Sequence, residues 1–170
     1  GDFRVTARIA DRGDALGADL GLMVRESLDP ASRQAAVVLR GVSEGWVHLL
    51  LWRDVERTRL KRQEHETLQD PRLWLRIERM GERILAGISE DGASWIDPSD
   101  VADLSGLPDE VFVGIAATCG RLSPGVDPCL ATICDLNLEI LDVEPPSRFR
   151  RGDTNADKTA DISDAIATLG

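Results

Sequence analysis

The amino-acid sequence predicts an all-β fold, a two-sheet antiparallel β-sandwich over residues 1–143. Three observations carry the prediction. Apolar residues recur at every second position in short runs, the period of a strand with one face against a core. Clusters rich in Gly, Asp and Pro separate those runs, and these residues supply turn geometry. No stretch ahead of Pro145-Pro146 carries a convincing helical period.

Phe3, Val5, Ala7 and Ile9 alternate with Arg4, Thr6 and Arg8, which gives a half-buried strand. Asp11–Asp19 is a Gly- and Asp-rich turn, and Leu20–Ser27 is a second strand. Asp29-Pro30-Ala31-Ser32 is a turn, because proline lacks a donor and biases its predecessor away from helix. Gln34–Arg40 and Trp46–Trp52 are strands around the turn Gly41–Gly45. Val55–Arg62 reads as a charged strand and Glu64–Pro71 as a loop.

The stretch Leu73–Trp95 organises the rest. Leu73, Leu75 and Ile77 alternate with Trp74, Arg76 and Glu78, and Ile84, Ala86 and Ile88 alternate with Leu85, Gly87 and Ser89. The two arms join at Met80-Gly81-Glu82, and Asp91-Gly92 supplies residue types that tolerate positive φ in a tight turn. A hairpin alone is unstable in water, so neighbouring strands must extend it. Pro98–Pro108 reads as a long loop, and Val111–Thr118 and Leu130–Asp142 complete the set.

Trp74-Leu75-Arg76-Ile77, the glycine turn, then Ser89-x-Asp91-Gly92-x-Ser94-Trp95 resembles the core of concanavalin A-like, laminin-G-like jelly-roll domains. Gly21–Ser27 and Gly1–Val5 match further strands of that group, so the resemblance covers most of residues 1–142. It implies a jelly-roll sandwich and does not imply an activity.

Hydrophobic residues make up 42% of the chain, enough for a sizeable core. The net charge of −10 argues against nucleic acid as a partner, and no apolar run is long enough to insert in a membrane. The abrupt strand-like start at Gly1-Asp2-Phe3 suggests part of a longer chain. Cys119 and Cys129 flank the loop Gly120–Pro128, where a hairpin would bring them within disulfide reach; three reduced core thiols are the other reading. Cys134 shares the alternation of Leu136, Leu138 and Ile140, which predicts a buried thiol.

At residues 144–149 the pattern stops in a proline-bearing linker. Residues 150–170 then differ in composition. Asp153, Asn155, Asp157, Asp161 and Asp164 stand at loop positions one, three, five, nine and twelve, with Thr159 at position seven, where a backbone carbonyl serves. This spacing wraps oxygen ligands around one hard cation such as calcium. Ser163–Leu169 has helical composition. The segment resembles one repeat of a type I dockerin, with Lys158 where the loop usually has glycine and Ala160 at position eight. The resemblance implies a calcium cofactor, a cohesin-like scaffold as partner, a secreted or cell-surface setting and polysaccharide breakdown as context.

In Trp46–Trp52 the alternation puts Trp46, His48 and Trp52 on one side. Trp74 and Arg76 share a face of the central hairpin. If these faces coincide, indoles and a guanidinium could stack on and hydrogen-bond a glycan; otherwise these tryptophans are packing residues. Two stretches loosely offer the paired carboxylates a glycosidase needs, Asp135, Asn137 and Glu139 on one strand face and Glu64 and Glu66 around His65 in the expected loop, and the jelly-roll signature E-x-D-x-x-E is absent. The expectation is a non-catalytic module binding carbohydrate or protein, set against a glycoside hydrolase of the same fold and a structural spacer.

Overall fold

The computed structural model describes residues 1–11, 17–56, 58–68, 72–96, 101–119 and 131–141, with backbone only at 65–68. Ten strands follow in chain order: β1 (Phe3–Asp11), β2 (Asp19–Arg25), β3 (Gln34–Val42), β4 (Gly45–Arg53), β5 (Lys61–Leu68), β6 (Trp74–Met80), β7 (Arg83–Ser89), β8 (Val101–Asp103), β9 (Phe112–Thr118) and β10 (Thr132–Ile140). They form two five-stranded sheets, β10-β1-β6-β7-β8 and β5-β4-β3-β2-β9. Every neighbouring pair is antiparallel. The chain changes sheet four times, after β1, β5, β8 and β9. The expected two-sheet antiparallel β-sandwich is therefore present.

The alternation read in the sequence becomes the interior. Phe3, Val5, Ala7 and Ile9 of β1 join Leu75 and Ile77 of β6 and Ile84 and Ala86 of β7. They face Leu22 and Val24 of β2, Val37 and Leu39 of β3, and Leu50 of β4. Burying one such side chain stabilises the fold by about 1.5–3 kcal/mol, so this layer holds the sheets together. The second sheet is apolar on its other face too, where Ala36 and Val38 of β3 meet Val47 and Leu49 of β4. That is why β3 and β4 read as unbroken apolar runs.

Arg79 closes one end of the sandwich. It is 5% exposed, and its guanidinium donates to the carbonyls of Gly81 (2.9 Å), Leu107 (3.0 Å) and Pro108 (2.6 Å). A buried cation is tolerated there because its donors are used. The contact fastens residues 104–108 to the β6–β7 hairpin.

Three local expectations are corrected. The charged strand lies at Lys61–Leu68, overlapping the expected loop Glu64–Pro71, and the described residues 54–56 and 58–60 are bend, turn and coil. The expected loop Pro98–Pro108 contains the three-residue strand β8, paired with β7. On β10 the alternation breaks at a bulge: Arg8 of β1 lies opposite Cys134, the next register pair is Thr6 with Asn137, and Asp135 has φ 53°. Cys134 is turned beside Arg8 and is half-buried, and Leu136, Leu138 and Ile140 are exposed at 56–57%.

Candidate functional site

A connected set of polar side chains lies on the outward face of the first sheet. Its register produces three cross-strand rows. Glu139, Arg4, Glu78 and Leu85 form one; Asn137, Thr6, Arg76 and Gly87 the next; Arg8, Trp74 and Ser89 the third. Each residue is there because its neighbours in sequence face the core.

Arginines tie the acids of this face down. Arg4 Nε donates to Glu78 Oε2 at 2.9 Å, and its Nη1 reaches Glu139 Oε2 at 3.3 Å. Arg8 Nε donates to Asp135 Oδ2 at 2.8 Å. Arg76 Nε lies 3.8 Å from the same Glu78 Oε2. The hydrogen bond to Glu78 holds the Arg4 guanidinium above its ordinary pKa, and that to Asp135 does the same for Arg8. Both arginines therefore stay cationic under all working conditions.

An aromatic corner completes the face. The Arg76 guanidinium sits 4.7 Å from the centroid of the Trp95 ring, within cation–π range. Arg76 pairs across the ladder with Gly87. Trp74 lies alongside, with the backbone of Gly92 against its indole: a Cβ added at Gly92 would stand 2.8 Å from Trp74 Cε2. The turn that carries Trp95 is built by Asp91. Its Oδ1 accepts from the backbone of Ala93 (2.8 Å) and Ser94 (2.7 Å) and from Ser89 Oγ (2.9 Å). The backbone donors of Ser94 and Ala93, ahead of the serine hydroxyls, push the Asp91 carboxyl well below the usual carboxylate range.

The structure separates the residues that the sequence grouped as a ligand face. Trp46 and His48 are buried at 9% and 2%, and Trp52 packs half-buried against the same core. All three point between the sheets because their register partners Gly41, Leu39 and Ala35 lie on the inward phase of β3. Trp74 and Arg76 lie on the outside of the other sheet, so the two sets do not share a face. The structure adds Trp95, Glu78, Arg4 and Arg8, which sequence reasoning did not assign to a site. The pairing of Arg76 with Gly87, fixed by the turn at Gly81, was the available signal. Asp135 and Glu139 do share a face, each engaged by an arginine.

Cys119 is a free, exposed thiol just after β9, and Cys129, its expected disulfide partner, lies outside the described residues. The linker 144–149 and the calcium ligands Asp153, Asn155, Asp157, Thr159, Asp161 and Asp164 also lie outside them. Among the described residues no group of three or more His, Cys, Asp or Glu side chains converges as a metal site.

Known structures share this fold. A functionally unknown protein from Saccharomyces cerevisiae aligns over 82% of this chain and 70% of its own, at TM-score 0.66 and 17% identity. A mutant of the GH43 protein BlXynB from Bacillus licheniformis aligns over 82% of this chain at TM-score 0.65 and 17% identity. A xylan β-1,4-xylosidase from Bacillus halodurans aligns over 81% at TM-score 0.61 and 12% identity. The chain spans only 28% and 27% of those two bacterial proteins. At these identities the likeness is one of fold. No protein-family pattern and no curated protein sequence matches the chain.

Proposed function

We propose that residues 1–143 are a non-catalytic, glycan-binding sandwich of a larger carbohydrate-active protein, and that the ligand lies along Trp74, Arg76 and Trp95. The observation that carries the reading is the Arg76–Trp95 stack beside Trp74 on an otherwise ion-paired face. Indole and guanidinium hold each other in place, so less side-chain freedom is lost when a sugar ring stacks and its hydroxyls accept from Arg76. The shared fold with part of a GH43 protein and part of a xylan β-1,4-xylosidase supports a polysaccharide setting and makes xylan the first probe.

Binding is favoured over glycoside hydrolysis. Hydrolysis needs one carboxyl able to donate a proton and a second free to attack or activate water. On this face Glu78 and Glu139 are both held by Arg4, and Asp135 by Arg8. The calcium-binding, dockerin-like segment is the second part of the proposal. Its support is the oxygen-donor spacing from Asp153 to Asp164, with a cohesin-like scaffold as partner and a secreted or surface-assembled enzyme complex as context.

Affinity electrophoresis in soluble xylan, followed by calorimetry with xylo-oligosaccharides, tests the binding face. The chain is expected to be retarded. Trp95→Ala is expected to weaken binding roughly tenfold or more, the loss of a stacking contact of about 1.5 kcal/mol. No retardation by xylan or by a panel of other glycans would leave the spacer reading in its place.

A further inference from the structure

The edge strands of the two sheets are not equally protected. An open edge presents unpaired N–H and C=O groups, and proteins guard such edges with charge, bulges or brevity. β5 carries Lys61, Arg62, Glu64 and Glu66. β8 has three residues. β10 is bulged at Asp135 and bears Glu139. β9 has none of these defences: FVGIAAT is seven residues long, without charge or proline, in unbroken register with β2.

The same flank is apolar in depth. β1 and β6 pack across β2, so β10, beyond β1, lies on the side of β9, beyond β2. Ile115 of β9 pairs with the core residue Leu22 yet is 51% exposed. Across the sandwich Leu138 and Ile140, opposite the core residues Val5 and Phe3, are 56% and 57% exposed. Among the described residues, therefore, the inward apolar side chains of this flank are left exposed, and β9 at its rim carries no charge.

We propose that this flank is covered by a second copy of the chain, through antiparallel pairing of β9 with β9 about a two-fold axis at Ile115. Self-pairing sets Phe112 against Thr118, Val113 against Ala117 and Gly114 against Ala116, with no charged residue opposite another. That match matters in a chain of net charge −10, whose copies otherwise repel. The acids of the adjoining β10 are already neutralised by Arg4 and Arg8, so a basic partner finds no unpaired acid there to read. The two-fold also brings the two exposed β10 rows together. The outward face of the first sheet, with Trp74 and Trp95, stays free.

Light scattering on the full 170-residue chain should give twice its 18.6 kDa. Gly114→Lys is the decisive variant. A Cβ at Gly114 meets nothing within 4 Å, so the monomer tolerates the side chain, and unchanged far-ultraviolet circular dichroism and Tm would show it. This variant is expected to be monomeric, and mixing it with Gly114→Glu should restore a dimer containing one of each, since the two positions are diagonal neighbours across the axis. A monomeric unmodified chain would overturn the proposal and assign the flank to another part of the polypeptide. A dimer that persists in Gly114→Lys would overturn it by placing the interface elsewhere.

Discussion

A single added methyl group separates two kinds of glycine in this chain. At Gly21 a Cβ would stand 1.9 Å from the carbonyl oxygen of Val37, where β2 and β3 run too close for any side chain. Backbone is on both sides of that contact, so relief requires the sheet to move. Gly21→Ala is expected to cost at least about 3 kcal/mol in denaturant unfolding. At Gly92 the obstacle is the Trp74 ring, and φ is +75°. A ring can shift, so Gly92→Ala is expected to cost roughly 1–2 kcal/mol, chiefly for the left-handed backbone. Equal losses at the two sites would refute this ordering. The close approach at Gly21 was not visible in the sequence; at Gly92 the positive φ was legible from the Asp91-Gly92 turn, but the contact with Trp74 was not. The fate of Trp46, His48 and Trp52 was equally hidden. In WVHLLLW both phases are apolar, so alternation groups the residues without saying which group faces inward.

Turns carry most of the acid sensitivity of the individual elements. Asp91 organises the turn after β7, and Glu26 binds Arg33 through two hydrogen bonds of 2.7 and 2.9 Å beside the β2–β3 connection. The Arg33 hydrogen bonds lower the Glu26 pKa, as the Ser94 and Ala93 amides lower that of Asp91. A depressed folded-state value means the stabilisation is complete above the unfolded carboxylate pKa and is lost as pH falls towards the folded value. Tm is therefore expected to hold at neutral pH and fall between about pH 5 and pH 2, and Asp91→Ala should flatten that fall. A variant with an unchanged acid limb would show that the turn contributes nothing. Strand legibility followed burial. β1, β6 and β7 were readable because one phase is apolar and the other polar. β5 was displaced in the reading because an edge strand of charged residues has no alternation to show. β8 is too short for a period, and the β10 bulge reversed the phase of Cys134.

For the whole molecule, two levels were legible in unequal measure. Sandwich architecture follows from the number of alternating runs, which any two-sheet packing must satisfy. The pairing order does not, because it depends on contacts between residues far apart in sequence, such as Arg4 with Glu139. The candidate face was half readable for the same reason: Trp74 and Arg76 are neighbours on one strand, but Arg4 comes from another strand and Trp95 from the turn after β7. The calcium proposal stands on local spacing alone and has its own test. Calorimetric titration of the full chain should give one calcium site, lost in Asp153→Ala/Asp157→Ala, while the sandwich Tm is the same in both proteins. Absence of heat in an otherwise folded chain would remove the docking segment from the proposal.

The first and last described strands are neighbours, and the amide of Leu141 donates to the carbonyl of Asp2 at 3.0 Å. Residues 2 and 141, at the two ends of the sandwich, therefore share one corner of the domain. Such a unit can be spliced into a host chain with little displacement of what lies on either side. The host's own ends are left about as close together as they were, so a sandwich of this topology can form a side branch of a longer chain without stretching it.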